Sequence, residues 1–320
     1  MKIFRFTLLL ILIIFSPIYG DGQESKIYRL SEYYIVDGPQ FGFVSLTDGF
    51  PFSEHPDSLV IADEHLGNLD LEAVGDNAHT LNSIYRQRFL SRLGIKESDK
   101  LYIYHLVEDT IYTFEVSDLA LVAYLTPYEP QLPIPDSDYY IGFEIKSKLL
   151  DMHELGNYRN DFVSIGKDCP FQVGHFKPMI WTKLETDNFP SFHRVKNFPS
   201  ELDSFSVQDI YQSNMDGLTY YVMNYSRYRR NVIPYLLVAD SLTNQLIYKK
   251  LFFQESDHDV ISLRVERGDA TSSDCQWAGK LFKNKATVFF NFIEPMFGCN
   301  SLYFVDDKQS FIEISCDNRH

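Results

Sequence analysis

Residues 101–116, LYIYHLVEDTIYTFEV, place two runs of β-branched and aromatic residues on either side of Glu108 and Asp109. Such a pair of runs around a short polar break reads as a β-hairpin. The same texture continues outward. QFGFVSLT (40–47), YYIGFEI (139–145), LTYYVMNY (218–225), QLIYKKLFF (245–253), DVISLRVE (259–266), ATVFFNFI (286–293) and FIEISC (311–316) are all short, aromatic-rich and often alternating. Alternation of apolar and polar side chains is the period of a half-buried strand. A second hairpin is expected from QWAGKLFK to ATVFFNFI across Asn284 and Lys285. The chain therefore belongs to the mainly β, α+β class.

One helix interrupts the strands, expected at about 77–93. Leu81, Ile84, Tyr85, Phe89 and Leu93 recur at helical spacing, Asp76 or Asn77 caps the start, and Gly94 ends it. Arg86, Arg88 and Arg92 are expected to suit the negative end of the helix dipole. Its apolar stripe needs a sheet to cover. Residues 21–125 are read as an acidic sheet-plus-helix domain and 139–320 as a β-sandwich-like, disulfide-containing domain. The alternative for the whole is an incomplete β-propeller-like array, although no repeat of 40–50 residues supports it. Between the two expected domains, residues 126–138 (TPYEPQLPIPDSD) carry four prolines, at 127, 130, 133 and 135, which keep a chain extended and suit a linker.

The N-terminus has a different character. MKIFRFTLLLILIIFSPIYG (1–20) sets Lys2 and Arg5 before an uncharged apolar run and ends on a small residue, the layout of a secretory signal peptide. The uncharged stretch is shorter than the roughly 20 residues a membrane helix requires, so the mature chain is expected to start near Asp21 without a stable membrane span. Secretion or a periplasmic destination follows as the expected localisation. The four cysteines, Cys169, Cys275, Cys299 and Cys316, suit structural disulfides in an oxidising compartment, with three pairings open.

Charge narrows the partners. Without Lys2 and Arg5, 27 bases face 44 acids, a balance that repels phosphate backbones and disfavours nucleic acid. Most of the imbalance lies in residues 21–145, which hold 22 acids and seven bases. Between Arg29 and Arg86 there is no base at all, while ten carboxylates occur from Glu32 to Asp76. Hard oxygen ligands at that density suggest calcium, and Asp63, Glu64, Asp70 and Glu72 are the candidate ligands. The EF-hand pattern fails, because Ala73 stands where the loop needs glycine.

Motifs for other chemistry are missing. Gly166-Lys167 is followed by Asp168, where a phosphate loop needs Ser or Thr, and His153-Glu154 lacks the second histidine of a helical zinc site. No catalytic residue is assigned. The expected function is a non-catalytic binding or structural role in the envelope, with a protein or glycan partner. The alternative is a secreted glycosidase-like hydrolase working through paired carboxylates.

Overall fold

The computed structural model describes residues 26–33, 41–46, 78–125, 139–146, 161–190, 202, 205–227, 230–252, 258–265, 275–295 and 298–316. Residues 1–25, the Pro-rich stretch and the base-free acidic stretch up to Asn77, apart from 30–33 and 41–46, lie outside them.

The described chain is mainly β with one helix. Its central element is a nine-stranded sheet in the spatial order Phe176–Pro178, Trp277–Gly279, Val288–Phe290, Ser301–Phe304, Phe311–Ser315, Ile27–Arg29, Phe162–Gly166, Lys100–His105 and Thr110–Glu115. Strand Ile27–Arg29 joins the halves. It runs parallel to Phe311–Ser315, with Ile27 opposite Ile314, and antiparallel to Phe162–Gly166, with Ile27 opposite Ser164. Both expected hairpins form, the first turning at Asp109 (φ 51°) and the second at Asn284 (φ 58°).

The sheet is curled. Seven strand steps separate Lys100–His105 from Phe176–Pro178, which in a flat sheet would place them roughly 34 Å apart. Yet the ring of Tyr104 lies 6.4 Å from that of Phe176 and 5.7 Å from that of Phe171. The inner face closes around an aromatic core that includes Tyr104, Phe162, Phe176, Trp277, Phe290 and Phe304. Phe162 meets Phe290 edge to face at 5.1 Å across it.

Two further sheets cover the outer face. A five-stranded sheet, Ser31–Tyr33, Phe41–Ser45, Tyr139–Ile145, Ala120–Leu125 and Ala78–Thr80, packs Val44, Leu121, Ile141 and Phe143 onto Leu101, Ile103 and Val163. A five-stranded meander, Thr182–Leu184, Ser206–Met215, Leu218–Arg227, Arg230–Asp240 and Leu246–Leu251, packs Tyr220, Val222, Leu236 and Val238 near Ala278 and Phe289. The central strands are thus buried on both sides. That explains why Val288–Phe290 reads as a continuous apolar run rather than an alternation.

The helix is shorter than expected, spanning Ser83–Leu93 rather than 77–93. Ala78–Thr80 pairs instead as an edge strand with Ala120–Leu125, so Asn82 replaces Asp76 or Asn77 as the cap. Its Oδ1 accepts from the backbone N–H of Ile84 and Tyr85. The left-handed Gly94 (φ 71°) terminates the helix as the sequence indicates. With the start moved, Arg86 falls in the first turn, not at the negative end. It forms a two-bonded ion pair with Glu97, at 2.7 Å for each bond, and donates to the carbonyls of Val116 and Leu119. This ties the helix to the turn below it, and the Arg86 guanidinium holds the Glu97 carboxyl below its ordinary range.

The chain flanking 126–138 forms neighbouring strands of one sheet. Ala120–Leu125 and Tyr139–Ile145 are antiparallel along their lengths, from Ala120 opposite Glu144 to Leu125 opposite Tyr139. The central sheet also draws strands from both sides of the stretch.

Candidate functional site

The helix ends above the outer face of the central sheet, and the turn after Gly94 does not close onto it. A cleft of about 580 Å³ remains between that turn and strand Phe162–Gly166. Its volume falls in the range of small-molecule sites. Leu93, Ile95, Ile165 and Tyr28 give it an apolar floor. Its charged lining is Lys26, Lys96 and Lys167 with Asp99 and Asp168. A smaller hollow of about 290 Å³ adjoins it, sharing Gly94, Ile95 and Lys96.

The charged groups are placed by backbone geometry. Asp99 Oδ2 accepts from Lys96 N at 2.8 Å while Asp99 N donates to Lys96 O at 2.9 Å, a tight turn that fixes both residues at the rim. On the opposite wall, the Tyr102 hydroxyl donates to the Lys167 carbonyl at 3.0 Å from the inside of the sheet. Burial pushes that phenol up, so it remains a donor. The Lys26 ammonium lies 5.2 Å from the centroid of the Tyr28 ring, which favours a cation over its face. Gly166 leaves room above the strand, since a Cβ there would meet nothing within 4 Å. Among the described residues three lysines and two aspartates line it, on a chain whose formal net charge is −15. Chemically, the arrangement can pair with an anion, hydrogen-bond hydroxyls and cover an apolar face.

A second polar group is closed rather than open. Asp161 lies opposite the end of the first hairpin and is buried, with its Oδ1 accepting from Leu106 N at 3.0 Å. Burial raises its carboxyl to about 7, against the lowering effect of that bond. Beside it is a cavity of about 20 Å³, bordered by Arg29, Asn300 and Cys316, room for about one water. His105 is also buried. Its Nδ1 accepts from Glu108 N at 3.3 Å, and its Nε2 has no partner among the described residues. Burial holds the imidazole below its ordinary pKa. Nearby, Asp109 bridges elements: it accepts from the Tyr104 hydroxyl and from Gly174 N, each at 2.6 Å, which fastens the hairpin turn to the start of the far edge of the curled sheet.

The four calcium candidates, Asp63, Glu64, Asp70 and Glu72, lie outside the described residues. Among the described residues, no group of three or more His, Cys, Asp or Glu side chains is placed to hold a metal ion. Cys299 and Cys316 form a disulfide that closes the C-terminal hairpin of the central sheet. Cys275 is a buried thiol and Cys169 a partly buried one whose pKa burial raises. The strand register places them apart. Pro178 is opposite Trp277, Phe176 opposite Gly279 and Phe171 opposite Phe282, so Cys169 and Cys275 lie beyond opposite ends of one run, too far for a bond that requires Cα atoms within about 7 Å.

The cleft lysines were not visible as a group in the sequence, because folding alone brings residues 26, 96 and 167 together. One signal did point to two of them: Lys26 and Lys96 are among only seven bases in residues 21–145. Compared with protein-family models, with curated proteins and with solved structures, the chain matches none.

Proposed function

We propose that the chain is an exported, non-catalytic binding protein and that the cleft beneath the helix end is its ligand site. The carrying observation is the cleft itself, lined by an apolar floor and by five charged residues from three separate segments of the chain. The leader-like N-terminus and the Cys299–Cys316 disulfide favour an oxidising destination. No helix of the described residues is long and apolar enough to cross a membrane. The partner class that suits such a cleft is a glycan or another small polar ligand rather than a broad protein surface.

A second reading has one observation in its favour. Asp99 and Asp168 share the cleft, and two carboxylates facing one sugar are the equipment of a glycosidase. Glycan-array profiling of the exported protein, followed by mass analysis of each retained glycan after incubation, separates the two. The binding reading expects retention and recovery of the glycan intact. Cleavage that disappears in both Asp99→Asn and Asp168→Asn would transfer the site to the hydrolase reading.

A further inference from the structure

We infer that the occupant of this site is an oligosaccharide that crosses the turn after the helix, with one unit in the smaller hollow and the rest in the cleft. This rests on the cleft being a binding site and adds the length and class of its ligand. The first argument is shape. The cleft of about 580 Å³ reaches strand Phe162–Gly166, the hollow of about 290 Å³ reaches Gln87, Leu90 and Ser91 of the helix, and Gly94, Ile95 and Lys96 border both. The hollow alone is at the lower limit for a small-molecule site, so it serves as an extension of the cleft. Gly94 puts no side chain between the two. A single ring fills one of them, whereas a chain of linked rings fills both.

The second argument is rigidity. The shared turn is held by its own backbone: Ile95 N donates to Leu90 O and Asp99 N to Lys96 O, each at 2.9 Å. Glu97, which also lines the hollow, is fixed by its two bonds of 2.7 Å to Arg86. A lining that is in place before the ligand arrives loses little freedom on binding, so each added unit contributes to affinity instead of ordering the protein.

The third argument is the chemistry of the hollow. Leu90 and Ile95, both buried, give it an apolar base. Gln87 and Ser91 stand about one helical turn apart on the exposed side of the helix, and both border the hollow. An amide and a hydroxyl donate and accept without carrying charge, which matches the hydroxyls of a sugar, while the apolar base matches its C–H face. A peptide fits less well. Extended peptides gain most by adding a strand to a sheet edge, and the hollow is lined by helix and turn alone.

Calorimetric titration of the purified exported protein tests this, with one- to six-unit series of β-1,4-linked glucose, α-1,4-linked glucose and β-1,4-linked N-acetylglucosamine. In a series that binds, affinity should rise by at least about tenfold, equivalent to about 1.4 kcal/mol, from the two-unit to the four-unit member and then level off. Ser91→Trp and Gln87→Trp, both at exposed helix positions, should each bring the four-unit member down to the affinity of the two-unit member. Gly166→Trp should abolish binding at every length. Equal affinity for two and four units, or a gain undiminished in both helix variants, would overturn the crossing while leaving the cleft as a binding site. Absence of heat with all three series would reject the oligosaccharide, and the array experiment would then decide the binding reading separately.

Discussion

The central curled sheet and the five-stranded meander are both antiparallel for most of their length, yet they are assembled on different principles. In the meander every neighbour is a sequence neighbour: Ser206–Met215 turns at Asp216 and Gly217 into Leu218–Arg227, which pairs next with Arg230–Asp240. In the curled sheet, Ile27 lies beside Ile314 and Ser164, and Phe162–Gly166 lies between Ile27–Arg29 and Lys100–His105. Loop-closure entropy makes such distant pairs slow to form, so the meander is expected to gain order first and the curled sheet last. The difference also separates roles. The meander buries tyrosines against the sheet, while the curled sheet carries the closed polar group, the disulfide and the cleft.

The sharpest way to break the comparison is to change one glycine in each region. Gly279 has φ 136°, and a Cβ there would lie 1.8 Å from the carbonyl oxygen of His175, which belongs to the backbone and has nowhere to retreat. Gly279→Ala is therefore expected to yield no folded protein, as read by circular dichroism and gel filtration. Gly217 in the meander turn also has positive φ, at 77°, but open space around it. Gly217→Ala should fold and lose only about 1 kcal/mol in urea titration. Equal losses at the two sites would remove the distinction.

Asp161 gives a pH test confined to the curled sheet. Its carboxyl is raised to about 7 in the folded protein, so its contribution to stability is fully present below the unfolded value near 4 and is lost as pH rises through 7. The loss amounts to up to about 4 kcal/mol by pH 8. His105 acts in the opposite sense. Its depressed pKa means that its contribution is present above the unfolded value near 6.5 and lost as pH falls. Asp161→Asn keeps the acceptor for Leu106 N and should raise stability at pH 8 while leaving the acid limb due to His105. An unchanged decline toward pH 8 in the variant would show that another group is responsible.

Removing the disulfide tests the same region more gently. The bond closes a loop with a sequence separation of 17, and Cys299→Ser with Cys316→Ser should cost about 3 kcal/mol. Alkylation of the denatured, unreduced wild type should modify two thiols, Cys169 and Cys275. Modification of four would contradict the bridge.

How much of this was legible follows the same division. Local features were readable because their causes are local: both hairpins, the meander strands Leu218–Arg227 and Leu246–Leu251, and Gly94 as the helix end. The helix start was misplaced because Ala78–Thr80 takes its structure from Ala120–Leu125, which no neighbouring residue announces. Curling was not readable either. It depends on Tyr104, Phe171 and Phe176 meeting across the inside of the sheet, and aromatic residues in strands say only that some face is buried. The cleft depends on three lysines from distant segments and was equally hidden. The Pro-rich stretch was read as a separator, and the chain on either side of it pairs in one ladder. Cleavage within 126–138 is expected to leave a particle that migrates as one species on a native gel and separates only in denaturant. Two pieces parting without denaturant would show two independent units.

The most direct test of the ligand site fills it without disturbing the sheet. Gly166 tolerates a side chain, because a Cβ there meets no atom within 4 Å, and an indole at that position would occupy the space between strand Phe162–Gly166 and the turn after Gly94. Calorimetry of wild type and Gly166→Trp against a glycan the wild type retains is the measurement. The account predicts an unchanged melting temperature and no binding heat for the variant, whereas wild-type affinity in Gly166→Trp would contradict it.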